Sequence, residues 1–307
     1  MDYRNKTRVT EFILLGFETE KEVEILIFSE FLLMYMISLI GNTMIILLVC
    51  VDYRLHSPMY FFVANLSFLE VAITSTVVPK MLANTFSLTK AISFMGCLTQ
   101  SIFYFLLGST EFFILAVMSF DRYIAICNPL RYAIIMNTQT CMFLAGSYLG
   151  AFLSMLSPSI LTAPLIFCGP NKIHHFFCDR APMLQLTCTD ISLAEVVDFI
   201  SSAVLLLGSL LLTGVSYTYI VITILRIPTV QGRQKAFSTC VSHITVVTIY
   251  YGSSIFLYVR PKKGNAMSIN KFATVLNTVV TPMLNPSIYS LRNEKVKESL
   301  RDTTINT

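Results

Sequence analysis

Tryptophan is absent from all 307 residues, and only 13% of them are charged, against 54% that are hydrophobic. A soluble domain carries about a quarter of its residues charged, so this shortage excludes that class and points to a chain embedded in lipid. The net charge of +4 is small and spread along the chain, with no basic patch or aromatic-basic stretch, which sets nucleic-acid binding aside. No proline lies between Pro182 and Pro228, or between Pro228 and Pro261, so a helix in either interval would carry no proline kink. Low-complexity linkers and internal repeats are missing too, which argues against the paired halves of a transporter. The first apolar run, Ile25 to Val51, is too long for a signal peptide and has no small-residue cleavage site after it, so it reads as a retained span.

What is there is apolar sequence of spanning length, seven times over: about 25 to 51, 58 to 79, 97 to 121, 141 to 161, 196 to 225, 237 to 259 and 272 to 291. An odd number puts the termini on opposite sides. The expected organisation is a tail over 1–24, a helical domain over 25–291 with one long loop at 162–195, and a tail over 292–307 with a short amphipathic helix. That loop holds Pro164, Gly169, Pro170 and Pro182 and should be folded. Lys and Arg divide almost evenly between the two sides and do not orient the chain. Asn5-Lys6-Thr7 is a glycosylation sequon, useful only if the amino-terminal tail is lumenal or extracellular. Cys97, Cys168, Cys178 and Cys188 fall on that same side, and Cys50, Cys127, Cys141 and Cys240 toward the other. An even set in an oxidising compartment suggests two disulfides, with three pairings open.

Charge reappears in MSFDRYIAICNPLRY, Met118 to Tyr132. Asp121, Arg122 and Tyr123 end the third run, so the arginine stands at a membrane face, where it either snorkels to water or is held in a polar cage. Glu70 and Glu111 lie near the middles of spans two and three, where a carboxyl needs a reason: a functional pair, or two protonated acids gluing helices together. Tyr104, Gly108, Glu111, Leu115, Met118 and Arg122 share one helical face, and His243, Val247, Tyr251, Ser254 and Tyr258 share another, although packing alone produces such stripes. Pro286 should kink its span, with Asn285 able to bond the exposed backbone, as a moving joint or simply for packing. His243 has only Cys240 near it at ligand spacing, which favours a hydrogen-bonding role over metal. His174 and His175 sit beside loop cysteines as a copper or zinc candidate, or as an ordinary loop pair. No nucleophile with a base at recognisable spacing is visible, which argues against an enzyme.

The stretch DRYIAICNPLRY resembles the third-helix end of olfactory receptors, a branch of the rhodopsin-like G-protein-coupled receptors. Similar motifs follow the family order: Gly41-Asn42, PMYFFVANLSFLE at Pro58 to Glu70, KAFSTCVSH at Lys235 to His243 and PMLNPSIYSLRN at Pro282 to Asn293. Together they cover nearly the whole chain. The resemblance implies an all-α membrane protein, a rhodopsin-like seven-transmembrane helix bundle in the plasma membrane with its amino terminus extracellular, and no enzyme. It pairs Cys97 with Cys178 and Cys168 with Cys188. It implies an odorant pocket in the outer halves of helices three, five and six, for which the candidates are Tyr104, Phe105, Gly108, Ser109, Ser202, Leu205, Tyr251, Ser254, Ile255 and Tyr258. It implies a switch of Asp121, Arg122, Tyr123, Tyr217, His243, Asn285, Pro286 and Tyr289 facing a heterotrimeric G protein of the olfactory stimulatory type, which raises cAMP. It also makes Glu70, where the family usually has Asp, a candidate sodium site with Glu111. The missing tryptophan and the missing prolines in spans five and six fit the olfactory branch. Tyr104 stands where amine receptors hold an acid, and no Lys or Arg lines the outer part of helix six. A charged ligand would then lack a counter-ion, so the expected ligand is small, apolar and largely neutral.

Overall fold

A computed structural model describes residues 9–167, 171–259, 266–291 and 294–305. The apolar runs become helices because in lipid each backbone amide must find its partner within its own segment. The helices are α1 (Lys21–Val51), α2 (Pro58–Thr85), α3 (Phe94–Cys127), α4 (Pro129–Thr162), a short α5 (Arg180–Leu184) in the long loop, α6 (Ser192–Leu225) and α7 (Val230–Val259). The last pass is α8 (Ala266–Val275), which runs through a π-helical turn at Leu276–Val280 into α9 (Thr281–Leu291); α10 (Glu294–Ile305) follows. Among the described residues five helices, α1, α2, α3, α4 over Gln139–Thr162, and α6, are long and apolar enough to cross a membrane by themselves, and α7 carries a shorter apolar stretch, Cys240–Phe256.

The helices outrun their apolar stretches. At about 1.5 Å per residue the 34 residues of α6 span about 50 Å, against a hydrocarbon core of about 30 Å. Apolar residues mark the bilayer, and the hydrogen-bond ladder continues beyond it. Hence α3 does not stop at Asp121 but goes on to Cys127, which places Arg122 inside a helix end.

α3 is the central element, packed against α2, α4, α6 and α7. Large exposed apolar side chains, such as Leu33, Ile40 and Leu47 on α1 and Phe199, Leu207 and Leu211 on α6, give the bundle its lipid-facing surface. The main core runs along Leu66, Leu69, Ile114, Leu115, Met118, Val247 and Tyr250.

At one end of the bundle a small sheet closes the mouth. Strand β1 (Glu11–Leu14) pairs antiparallel with β2 (Ala91–Ser93) and parallel with β3 (Lys172–Ile173). The amino-terminal stretch is therefore not the plain polar tail its composition suggests. Phe12 and Leu14, two residues apart, fall on one face of the strand and are buried with Phe167, Ile173, Met183 and the Cys97–Cys178 disulfide. That bond, 81 residues apart in sequence, fastens the long loop to the start of α3. Cys188 is also disulfide-bonded; its expected partner Cys168, like Asn5 and Arg292, lies outside the described residues. Cys50, Cys127, Cys141 and Cys240 are free thiols. At the other end Arg54 bridges Asp52 at 2.7 Å and Asp302 of α10 at 2.9 Å, tying the turn after α1 to the last helix.

The Gly41-Asn42 pair explains how α1 meets α9. Pro286 has no N–H, so the carbonyl of Pro282, four residues before it, loses its helical donor. Asn42 Nδ2 supplies one at 3.0 Å. The helices must be close for this, and they are: a Cβ on Gly41 would lie 2.9 Å from Pro286 Cβ and 3.0 Å from its Cγ, nearer than such carbons settle, and the proline ring cannot swing aside. Gly41→Ala should therefore cost about 1–3 kcal/mol, read as a lower thermal midpoint and a reduced surface level; an unchanged midpoint would contradict the contact.

Candidate functional site

Between α3, α6 and α7, toward the sheet end, lies a cavity of about 130 Å³, close to the ~150 Å³ in which a protein interior accommodates benzene. Its wall includes Tyr104, Phe105, Gly108, Ser109, Glu111 and Phe112 of α3, Ser201, Ser202 and Leu205 of α6, and Tyr250 and Ser254 of α7. Ile73, Ser154, Met155 and Asn277 complete it. Most of the expected pocket residues are gathered here. Tyr251 and Ile255 are not. Tyr250 takes the wall position, its hydroxyl donating to the Gly108 carbonyl at 3.1 Å, while Tyr251 packs edge-on to Phe112 at 5.5 Å between ring centroids. Ile255 packs against the main core. Adjacent residues on a helix differ by about 100°, so counting the stripe from His243 in steps of four selects the wrong tyrosine of a pair. The side chain of Tyr258 lies outside the described residues.

Glu111, Ile73, Ser154, Met155, Ser201 and Asn277 were not read as pocket residues. Asn277 reaches the wall because of the π turn, where one extra residue per turn rotates the helix. It bonds Ser253 and lies 3.4 Å from Ser254 Oγ, and the neighbouring Thr278 hydroxyl lies 3.1 Å from that of Tyr104. No apolar periodicity announces such a turn.

α3 carries the same line inward. Leu115 and Met118 are buried beneath the cavity, and beyond them Asp121 and Arg122, the latter only 8% exposed. Arg122 is held in a cage. Its Nε and Nη2 donate to Asp121 Oδ2 at 3.0 and 2.5 Å, and Tyr132 donates to Asp121 Oδ1 at 2.8 Å. A buried charge pair is costly to break, about 3–5 kcal/mol when one partner goes, so the guanidinium is held firmly in place. Beside it Tyr217 of α6 and His243 of α7 meet, Oη to Nδ1, at 2.5 Å. Tyr123 packs at a tilt against Tyr219, 5.8 Å between ring centroids, and Ser242 bonds the Ile288 carbonyl of α9. Asn285 donates to Glu70 Oε1, which links α9, with Pro286 inside it, to the middle of α2, and Tyr289 is buried one turn further on. The expected switch residues thus lie on α3, α6, α7 and α9 around one inner region, joined to the cavity through α3.

Glu70 and Glu111 lie within electrostatic reach of each other but have different neighbours. Glu111 faces the cavity, whereas Glu70 sits with Asn42 and Asn285, and Glu70 Oε2, Asn42 Oδ1 and Asn285 Oδ1 are buried without hydrogen-bond partners. Among the described residues no three His, Cys, Asp or Glu side chains are grouped to hold a metal. His174 instead lies 3.5 Å from Glu18, and His175 is packed against the rings of Phe176 and Phe177 at 4.5 and 4.8 Å. Burial, helped by the charge of Lys271, pushes His175 down to about 3. The unfolded chain takes up this proton near pH 6.5 and the folded chain refuses it. Stability should therefore fall as pH drops below about 6.5, by up to ~1.4 kcal/mol per pH unit. The thermal midpoint should drop between about pH 7 and about pH 5, and His175→Phe should flatten that drop; equal slopes in the two proteins would exclude His175 as its source.

The bundle has the rhodopsin architecture: it superposes on squid rhodopsin with a TM-score of 0.71 over 93% of this chain and 86% of that one, at 16% identity. The family model described as Olfactory receptor matches residues 31–306. Mouse olfactory receptor 6E1 is 51% identical over 300 residues, covering 97% of this chain and 96% of the relative. Human olfactory receptor 6T1 is 50% identical over 303 residues, covering 98% and 94%. The chain belongs to the olfactory receptor family, a group of membrane-embedded signalling receptors that take small-molecule ligands and couple to G proteins, and it is not an enzyme.

Proposed function

We propose that this chain is an odorant-activated receptor of the plasma membrane, amino terminus outside, which binds a small, largely neutral and apolar molecule in the cavity and activates an olfactory-type stimulatory G protein to raise cAMP. The observation that supports this most is that one helix, α3, forms a wall of the cavity with Gly108 and Glu111 and ends in the caged Arg122. A ligand that fits better when the inner ends of α3 and α7 are apart shifts the population toward that packing, and Arg122 is given up to the G protein. The cavity's aromatic walls and its serine hydroxyls suit an apolar body with one or two polar atoms. The test is a broad panel of volatile compounds applied to cells expressing the chain with the olfactory stimulatory G protein. A ligand-dependent cAMP rise is expected; current or flux without G protein, or a charged amine as best agonist, would overturn the reading.

A sodium ion at Glu70 belongs to the same proposal. Three buried oxygens lacking partners, on Glu70, Asn42 and Asn285, match the oxygen donors a hard cation prefers, and such an ion would favour the resting packing by tying α1, α2 and α9 together. Glu70→Ala should then remove any sodium dependence of basal signalling, and a sodium response that survives the change would remove the site.

A further inference from the structure

A buried cation from the long loop packs against two of the cavity's wall residues, Phe105 and Met155. Arg180, at the start of α5, has a side chain only 4% exposed. Its Nη1 pairs with Asp198 of α6, its guanidinium carbon lies 4.6 Å from the centroid of Phe105, and its Nη2 reaches Met155 Sδ at 3.8 Å. Phe105 and Met155 are cavity walls, and Ser201 and Ser202, one turn along from Asp198, are walls too. The guanidinium is therefore fixed against the rim on three sides.

The three contacts are unequal. The ion pair is strong, the ring face is favourable for an arginine, and a thioether is a weak acceptor. Nη2 is thus the donor that a better acceptor can claim, by a rotation that leaves the Asp198 pair in place. Asp198 already balances the charge of Arg180, and Asp179, the residue before it, adds a carboxyl group nearby. An anionic ligand would bring a charge with nothing to offset it, whereas a neutral oxygen acceptor would not.

We infer that Arg180 is a ligand-recognising residue whose guanidinium donates a hydrogen bond to the oxygen of a neutral carbonyl compound, with the ligand's chain lying along Phe105, Met155 and Leu205. This rests on the cavity being the ligand site. A hydrogen bond to a charged donor is worth about ten- to a hundredfold in affinity, which sets the expected scale.

The experiment compares straight-chain aldehydes and methyl ketones with 1-alkenes of equal carbon number, read as cAMP potency at matched surface level. The wild-type chain should favour carbonyl compounds by about tenfold or more, Arg180→Met should bring the two series together, and Arg180→Lys should restore part of the preference. If Arg180→Met strands Asp198 and fails to reach the surface, the double variant Arg180→Met with Asp198→Leu removes both charges and must show the same levelling. Wild-type answers equal for both series or absent from both, or a preference that survives the loss of Arg180, would overturn the assignment. The cavity reading fails separately, if filling the cavity at Gly108 leaves the responses to both series intact.

Discussion

Asp121→Asn should produce signalling without ligand, at about ten times the wild-type basal level, and Arg122→Ala should signal under no condition at matched surface abundance. Both follow from the cage. Asp121 is fully buried and accepts two bonds from Arg122 and one from Tyr132. Converting its carboxylate to an amide removes a charge-assisted interaction worth about 1.5–3 kcal/mol, and a two-state equilibrium moves about tenfold for every 1.4 kcal/mol. Tyr132 then lacks only part of its partner, so the fold survives. Removing Arg122 has the opposite logic: the charge the cage exists to hold is gone, so no state offers it to a G protein. The pair is informative because both changes break the same contact with opposite results. Were the two variants to behave alike, the contact would be a packing feature and not a latch.

The second large effect is steric. Gly108 lies on the cavity wall, and a Cβ built there meets only Tyr250 Oη, at 4.0 Å. Gly108→Ala therefore fits, and replacing glycine inside a helix should stabilise the protein by about 0.5–1 kcal/mol. Gly108→Leu puts a branched side chain into a space of about 130 Å³ and leaves no room for a ligand. Potency should drop by about two orders of magnitude or more, some 2.7 kcal/mol of lost binding, while the Asp121→Asn phenotype persists in the double variant because the inner cage is untouched. Equal potency for the glycine, alanine and leucine forms would place the ligand elsewhere.

The contrast between what the chain discloses and what it hides has a physical origin. Long apolar stretches and the motifs around Arg122, Asn42 and Pro286 are local features of sequence, and the helices, and the gathering of these residues at the inner end of the bundle, were legible from them. The resemblance supplied the pairing of Cys97 with Cys178, which spacing left open. Three things were not legible. The strand Glu11–Leu14 borrows its partners from residues about 80 and 160 positions away, and four residues of alternation make a weak signal. The π turn that swings Asn277 inward has no compositional mark. Arg180 looks like any loop arginine until the fold carries it over Phe105, which is why searching α7 alone for a cation over the pocket found none. The choice of Tyr251 over Tyr250 shows the limit of periodicity: it finds a stripe and leaves its edge uncertain by one residue.

Distance between the inner ends of α3 and α7, measured with spectroscopic labels at positions 126 and 233 in the purified receptor before and after adding an agonist, reports directly on the coupling of cavity to cage. The two labels should move apart with agonist, stay put when Gly108→Leu fills the cavity, and stand apart without agonist in Asp121→Asn. An agonist that drives G-protein turnover while that distance stays unchanged would contradict the account.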